Sequence, residues 1–231
     1  MLTDNLQAVK TTIREACQKS GRDPEAVTVV AVSKTKPASM IKELYDAGHR
    51  DFGENYAQEL CAKYEELPKD IRWHMIGHLQ RNKVKYIAPF VAMIHSVDSL
   101  RLAQAIDKEA AKCGRVIPIF IEVNVGGEET KFGVTPQEAP ALVEEVLKLT
   151  HVQYCGLMTS APPVDDPEKV RGCFRDLRQL GVDIKQKNLN NVTGTSLSMG
   201  MSQDYRVAVE EGATHVRVGT GIFGARIYNK P

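Results

Sequence analysis

Val29-Val30-Ala31-Val32-Ser33-Lys34-Thr35-Lys36-Pro37 is an apolar, β-rich run that stops abruptly at a lysine and then a proline. The apolar part reads as a buried strand, and Pro37 reads as a first-turn helix residue that opens the next element. Strand followed by helix then recurs along the chain. Further strands are expected at Asp51–Gly53, Arg72–Ile76, Val91–Ser96, Ile117–Val123, Tyr154–Met158, Leu189–Thr193 with an extension to Leu197, and His215–Val218, with the first spanning Val27–Val32. Helices are expected at Ser39–Ala47, Tyr56–Glu66, Leu100–Lys112, Pro136–Leu149, Glu168–Leu180 and Ser202–Glu211. Another precedes the first strand, over Asp4–Ser20, where Leu6, Val9, Ile13 and Cys17 recur at helical spacing and Gly21 supplies a stop. Repeated βα units imply a parallel sheet. Eight such strands in 231 residues, with a helix ahead of them, predict a (β/α)₈ barrel and not an open doubly wound sheet. No repeat, low-complexity segment or linker interrupts the pattern, so one domain over residues 1–231 is expected.

The 30 basic and 29 acidic side chains nearly cancel, with no long run of one sign. That argues against nucleic acid or an acidic membrane as partner and for a small molecule. The five cysteines, Cys17, Cys61, Cys113, Cys155 and Cys173, are odd in number and widely spread, and they read as reduced thiols. The N-terminus lacks a basic start followed by an apolar core, and no apolar run reaches membrane-spanning length. A cytoplasmic, monomeric protein is expected.

A barrel builds its site where strands end. Lys34 ends the first strand, where partial desolvation favours a neutral amine able to attack a carbonyl. Lys36, two residues on, is the weaker candidate. The last strand ends in Arg217-Val218-Gly219-Thr220-Gly221-Ile222-Phe223-Gly224, whose backbone N–H groups can approach an anion. Phosphate sites in such barrels often use the loops after strands seven and eight, here Ser198-Met199-Gly200-Met201-Ser202 and Gly219-Thr220-Gly221. An amine and a phosphate clamp at one barrel mouth fit pyridoxal 5′-phosphate. Arg217 could then hydrogen-bond the pyridine nitrogen and keep it unprotonated, which mutes the cofactor as an electron sink.

The motifs Ala31-Val32-Ser33-Lys34-Thr35-Lys36-Pro37, Phe52-Gly53-Glu54-Asn55-Tyr56, Trp73-His74-Met75-Ile76-Gly77-His78-Leu79-Gln80-Arg81-Asn82-Lys83, Leu197-Ser198-Met199-Gly200-Met201-Ser202 and Val216-Arg217-Val218-Gly219-Thr220-Gly221-Ile222-Phe223-Gly224 resemble the pyridoxal-phosphate homeostasis proteins. The family is similar to the N-terminal barrel of alanine racemase. The resemblance implies a TIM barrel of the alanine racemase N-terminal-domain type. It implies Lys34 as the Schiff-base (aldimine) lysine, Arg217 at the pyridine nitrogen, and Ser198 or Ser202 with Gly219 and Thr220 at the phosphate. Asn55, His74 and Met199 would line the ring. His78 departs from the family's usual serine or proline, and Lys131 matches a family lysine that accepts cofactor in transit. With the chain ending at Pro231, no second β-domain is expected, which leaves an open mouth suited to exchange.

Each residue has a bland alternative. Lys34 could mark where a strand meets water; His49, His74, His95, His151 and His215 could be structural. Arg81, Lys83 and Lys85 could be a solvated face, and Met199 and Met201 core fillers. No side chains show metal-ligand spacing. Three functions stay open: a protein that buffers or delivers pyridoxal 5′-phosphate, with apo-enzymes as acceptors; a racemase-like enzyme using the same cofactor; and a lysine Schiff-base aldolase.

Overall fold

Strand β1 runs from Thr28 to Val32 and pairs in parallel with β2, Asp51–Glu54, on one side and with β8, His215–Val218, on the other. A computed structural model describes residues 1–128, 130–187 and 194–225. Between β2 and β8 lie β3 (Arg72–Met75), β4 (Met93–Val97), β5 (Ile117–Glu122), β6 (Val152–Met158) and β7 (Ser196–Met201), each parallel to its neighbours in a closed barrel. Helices α1 (Leu2–Ser20), α2 (Ala38–Asp46), α3 (Ala57–Glu66), α4 (Val84–Ile87), α5 (Leu100–Lys112), α6 (Ala139–Val146), α7 (Arg171–Lys187), α8 (Tyr205–Glu210) and α9 (Thr220–Phe223) complete the described units. The extra helix α1 buries Leu6, Val9, Ile13 and Cys17, the spacing read from the sequence, and Gly21 ends it in the left-handed conformation at φ 67°. Pro37 caps α2 from just outside and is not its first helical residue.

The expected strand Leu189–Thr193 lies outside the described residues. Among the described residues β7 is Ser196–Met201, so Ser198–Met201, whose serine and glycine read as loop, is strand. Its alternation explains the miss: Leu197 and Met199 enter the apolar layer between barrel and helices, while Ser198 turns the other way. Gly200, at φ 94°, is required because a Cβ there would meet Tyr205 Cα at 2.8 Å and block α8 from packing on β7.

The two faces of the barrel wall differ in chemistry. Val29, Ala31, Phe52, Trp73, Ile94, Ile119, Ile121, Leu197 and Val216 belong to the outer apolar layer under the helices. Inside, the rings of His74, His95, Phe120 and His215 meet edge-on or tilted at 4.8 to 6.4 Å between centroids. The barrel centre is therefore a polar, aromatic column in place of the usual branched aliphatic layers.

Candidate functional site

At the C-terminal ends of the strands, a cavity of about 520 Å³ is walled by Lys34 after β1, Asn55 after β2, Ser160 after β6, Ser202 after β7, and Arg217, Gly219 and Thr220 on or after β8. That volume suits a small cofactor. Asn55 is held by a close approach: a Cβ on Gly77 would sit 2.4 Å from the Asn55 carbonyl oxygen, so only glycine lets the two loops touch.

Ser202 Oγ accepts from Gly219 N–H and Gly221 N–H, each at 3.1 Å. Two backbone amides thus fix the Ser202 hydroxyl oxygen and leave its O–H free to donate toward the cavity. Arg217 lies on the floor, 4 % exposed, and donates to Ser198 Oγ at 2.7 Å, to the Thr159 carbonyl at 2.8 Å and to Ser160 Oγ at 3.2 Å. Burial lowers its guanidinium to about 10, against the pull of Glu122 and Asp204, so it stays charged at neutral pH.

Below Arg217 runs a chain of buried hydrogen bonds. Ser198 Oγ meets His95 Nδ1 at 2.7 Å, His95 Nε2 meets His74 Nδ1 at 2.9 Å, and His74 Nε2 meets Asp51 Oδ1 at 3.0 Å. Burial alone would raise the Asp51 carboxyl, but hydrogen bonds from His74 and Arg72 outweigh it and hold it well below the usual carboxylate range. For neutral imidazoles the direction of the chain follows from the Asp51 end, since an ionised carboxylate only accepts and each neutral ring has one donor and one acceptor. Ser198 therefore accepts from Arg217 and donates to His95, which donates to His74, which donates to Asp51. Both imidazoles are expected as the Nε2–H tautomer. Long-range ¹H–¹⁵N correlation spectra of the histidines check this, and an Nδ1–H form of either ring would refute it.

A second compartment of about 580 Å³ adjoins the first across Asn55, Ile76, Lys131 and Ser160. Lys131 pairs with Glu128 at 2.8 Å and donates to the Ser160 carbonyl at 3.2 Å. His78 stacks on Phe132 with centroids 4.0 Å apart and lies 3.5 Å from Asp98. Glu122, at the end of β5, lines this compartment, and burial raises its carboxyl to about 7. Among the described residues no group of three or more side chains could hold a metal, and no helix is long and apolar enough to cross a membrane.

The profile of the family described as "Alanine racemase, N-terminal domain" matches residues 5–227. The chain belongs to that family. A relative from Aquifex aeolicus, named pyridoxal phosphate homeostasis protein, is 46 % identical over 226 residues, spanning 97 % of this chain and 98 % of its own. PipY of Synechococcus elongatus has been solved without PLP, at 36 % identity and a TM-score of 0.87, and with PLP bound, at 35 % and 0.85. Each of those structures covers 97 % of this chain and is itself covered completely.

Of the residues the family resemblance pointed to, the first cavity brings together Lys34, Asn55, Ser202, Arg217, Gly219 and Thr220. It does not include His74, Ser198 or Met199. The reason is register: β7 continues past Ser198 to Met201, so Ser198 is an inward mid-strand residue below the mouth, Met199 is in the outer core, and His74 sits lower still, against Asp51. Sequence reasoning missed Ser160, which follows β6 and meets Arg217; the polar residue just after a strand was the available signal.

Proposed function

We propose that this chain binds pyridoxal 5′-phosphate at the first cavity, through an imine with Lys34, and buffers or delivers the cofactor. The supporting observation is the convergence of a strand-end amine, a buried arginine and a serine hydroxyl fixed by two amides on a single cavity of cofactor size. The PLP-bound PipY, at 35 % identity over 97 % of this chain, supports the same reading.

The residues fit the group. The Ser202 and Thr220 hydroxyls would hold the phosphate, Ser202 with its O–H left free to donate because the Gly219 and Gly221 amides fix its oxygen from behind. When bound, the cofactor supplies an aldehyde and an electron sink. Arg217 offers only N–H donors to a ring nitrogen and stays charged at neutral pH, which disfavours protonation of that nitrogen and weakens the sink. Free thiols at all five cysteines suit a reducing, cytoplasmic setting.

One observation favours the racemase-like alternative: Glu122, raised to about 7 beside the site, has the proton affinity of an acid/base group. Incubating the loaded protein with amino acids separates the two. Transfer of cofactor to an apo-enzyme without racemised, decarboxylated or transaminated product is expected. Sustained multiple turnover that vanishes in Lys34→Ala would overturn the carrier reading.

A further inference from the structure

The turn that carries Lys34 is held by side chains that none of the roles above uses. Lys63, on α3 and only 7 % exposed, spends three donor contacts: on the Ser33 carbonyl, on Glu54 Oε1 and on Glu59 Oε1, each at 2.7 Å. Ser33 Oγ donates to the same Glu54 oxygen at 2.6 Å. On the other side of Lys34, the Thr35 N–H donates to Glu59 Oε1 at 2.6 Å. Thr35 has φ 64°, the only non-glycine residue with positive φ among those described. A β-branched residue is disfavoured there, and it persists only where its surroundings over-determine it.

We infer that Lys63, Glu54 and Glu59 form a positioning clamp for Lys34, fixing the backbone on both sides of the reactive amine. The carbonyl before Lys34 is tied to Lys63 and the amide after it to Glu59, so the root of the Lys34 side chain is anchored between two charge-assisted hydrogen bonds. A simple turn at this point would be made by glycine or asparagine without strain. Here a charged network enforces a strained residue, which aims the amine at a fixed direction into the cavity and pre-organises it for a carbonyl partner. Burial raises Glu54 to about 7 against the pull of Lys63, which shows how enclosed the network is. The inference rests on the proposed role of Lys34.

The test uses the full chain. Borohydride reduction and peptide mapping of loaded wild-type protein first locate the label, and the rate at which methoxyamine strips the cofactor is then timed by absorbance. Glu59→Ala is expected to speed stripping at least fivefold and, in cofactor-free protein, to raise hydrogen exchange of the Thr35 amide at least tenfold. Glu59→Gln, which keeps the acceptor oxygen but not its charge, is expected to fall between wild type and Glu59→Ala on both. Lys63→Met alone would strand Glu54 and could unfold the chain, so Lys63→Met/Glu54→Gln removes the pair together; it too is expected to strip at least fivefold faster. Wild-type stripping in Glu59→Ala and in the double variant would overturn the clamp. A label away from Lys34 would instead overturn the proposed function. The Thr35 amide reports on the clamp with no cofactor present, and unchanged exchange in Glu59→Ala would overturn the clamp by itself.

Discussion

Lys34→Ala is expected to abolish covalent capture of pyridoxal 5′-phosphate while leaving the barrel folded. After incubation with cofactor and dialysis, wild-type protein should be yellow and carry a pyridoxyl label on Lys34 after borohydride; the variant should be colourless. The specificity follows from what the neighbouring lysines do. Lys36 Nζ reaches the carbonyls of Phe223, Gly224 and Ala225 at 3.2 to 3.4 Å, bridging the turn between β1 and α2 to the end of α9. Lys131 is paired with Glu128, and Lys63 is enclosed by two carboxylates. The phosphate cradle remains in Lys34→Ala, so residual non-covalent binding is expected, weaker by at least about tenfold, or some 1.4 kcal/mol. Lys34 sits at the mouth and adds little to the core, so the melting temperature should move by only a few degrees. A label that persists on Lys36 or Lys131, or a variant as yellow as wild type, would remove Lys34 from its proposed role.

Legibility in the sequence follows a physical line. Lys34, Gly219 and Thr220 were legible because each comes directly after an apolar run, and the end of a parallel strand is where a barrel builds its site. The family resemblance assigns Ser198 and His74 to the cofactor, and neither residue lines the first cavity. Their depth along the barrel axis depends on where β7 ends and on register, and sequence pattern does not fix either; both sit in the column below Arg217. Lys63 was illegible for another reason. Glu59 and Lys63 stand four apart on α3, a spacing that reads as an ordinary solvated pair, and only the approach of α3 to the end of β1 turns that pair inward onto Ser33 and Thr35. Asp51 begins β2, and only the fold makes it the lower terminus of a chain that reaches Arg217.

Acid is expected to destabilise the protein in two stages with a break near pH 4.5. Burial lowers His49 to about 4, His215 to about 3 and His95 well below its ordinary value. Each is neutral in the folded chain and takes a proton when unfolded below about pH 6.5, so each contributes stability that is lost as pH falls. Burial acts oppositely on two glutamates, raising Glu54 and Glu122 to about 7. Between about pH 7 and 4.5 these bind protons in the folded state and not in the unfolded one, so each adds stability as pH falls. Three protons against two leave one, about 1.4 kcal/mol lost per pH unit from pH 6.5 to 4.5. Below that the glutamates no longer compensate and only Asp204, raised by burial, still opposes, while Asp51, Glu210 and Glu211, all held low in the fold, begin to add their own loss. The slope should then at least double. Urea titrations at a series of pH values measure it directly, and a uniform slope from pH 6.5 to 3.5 would refute the opposition. Glu122→Gln separates the contributions: with one compensating proton gone, the upper stage should steepen to about 2.7 kcal/mol per pH unit, while the lower stage keeps its wild-type slope.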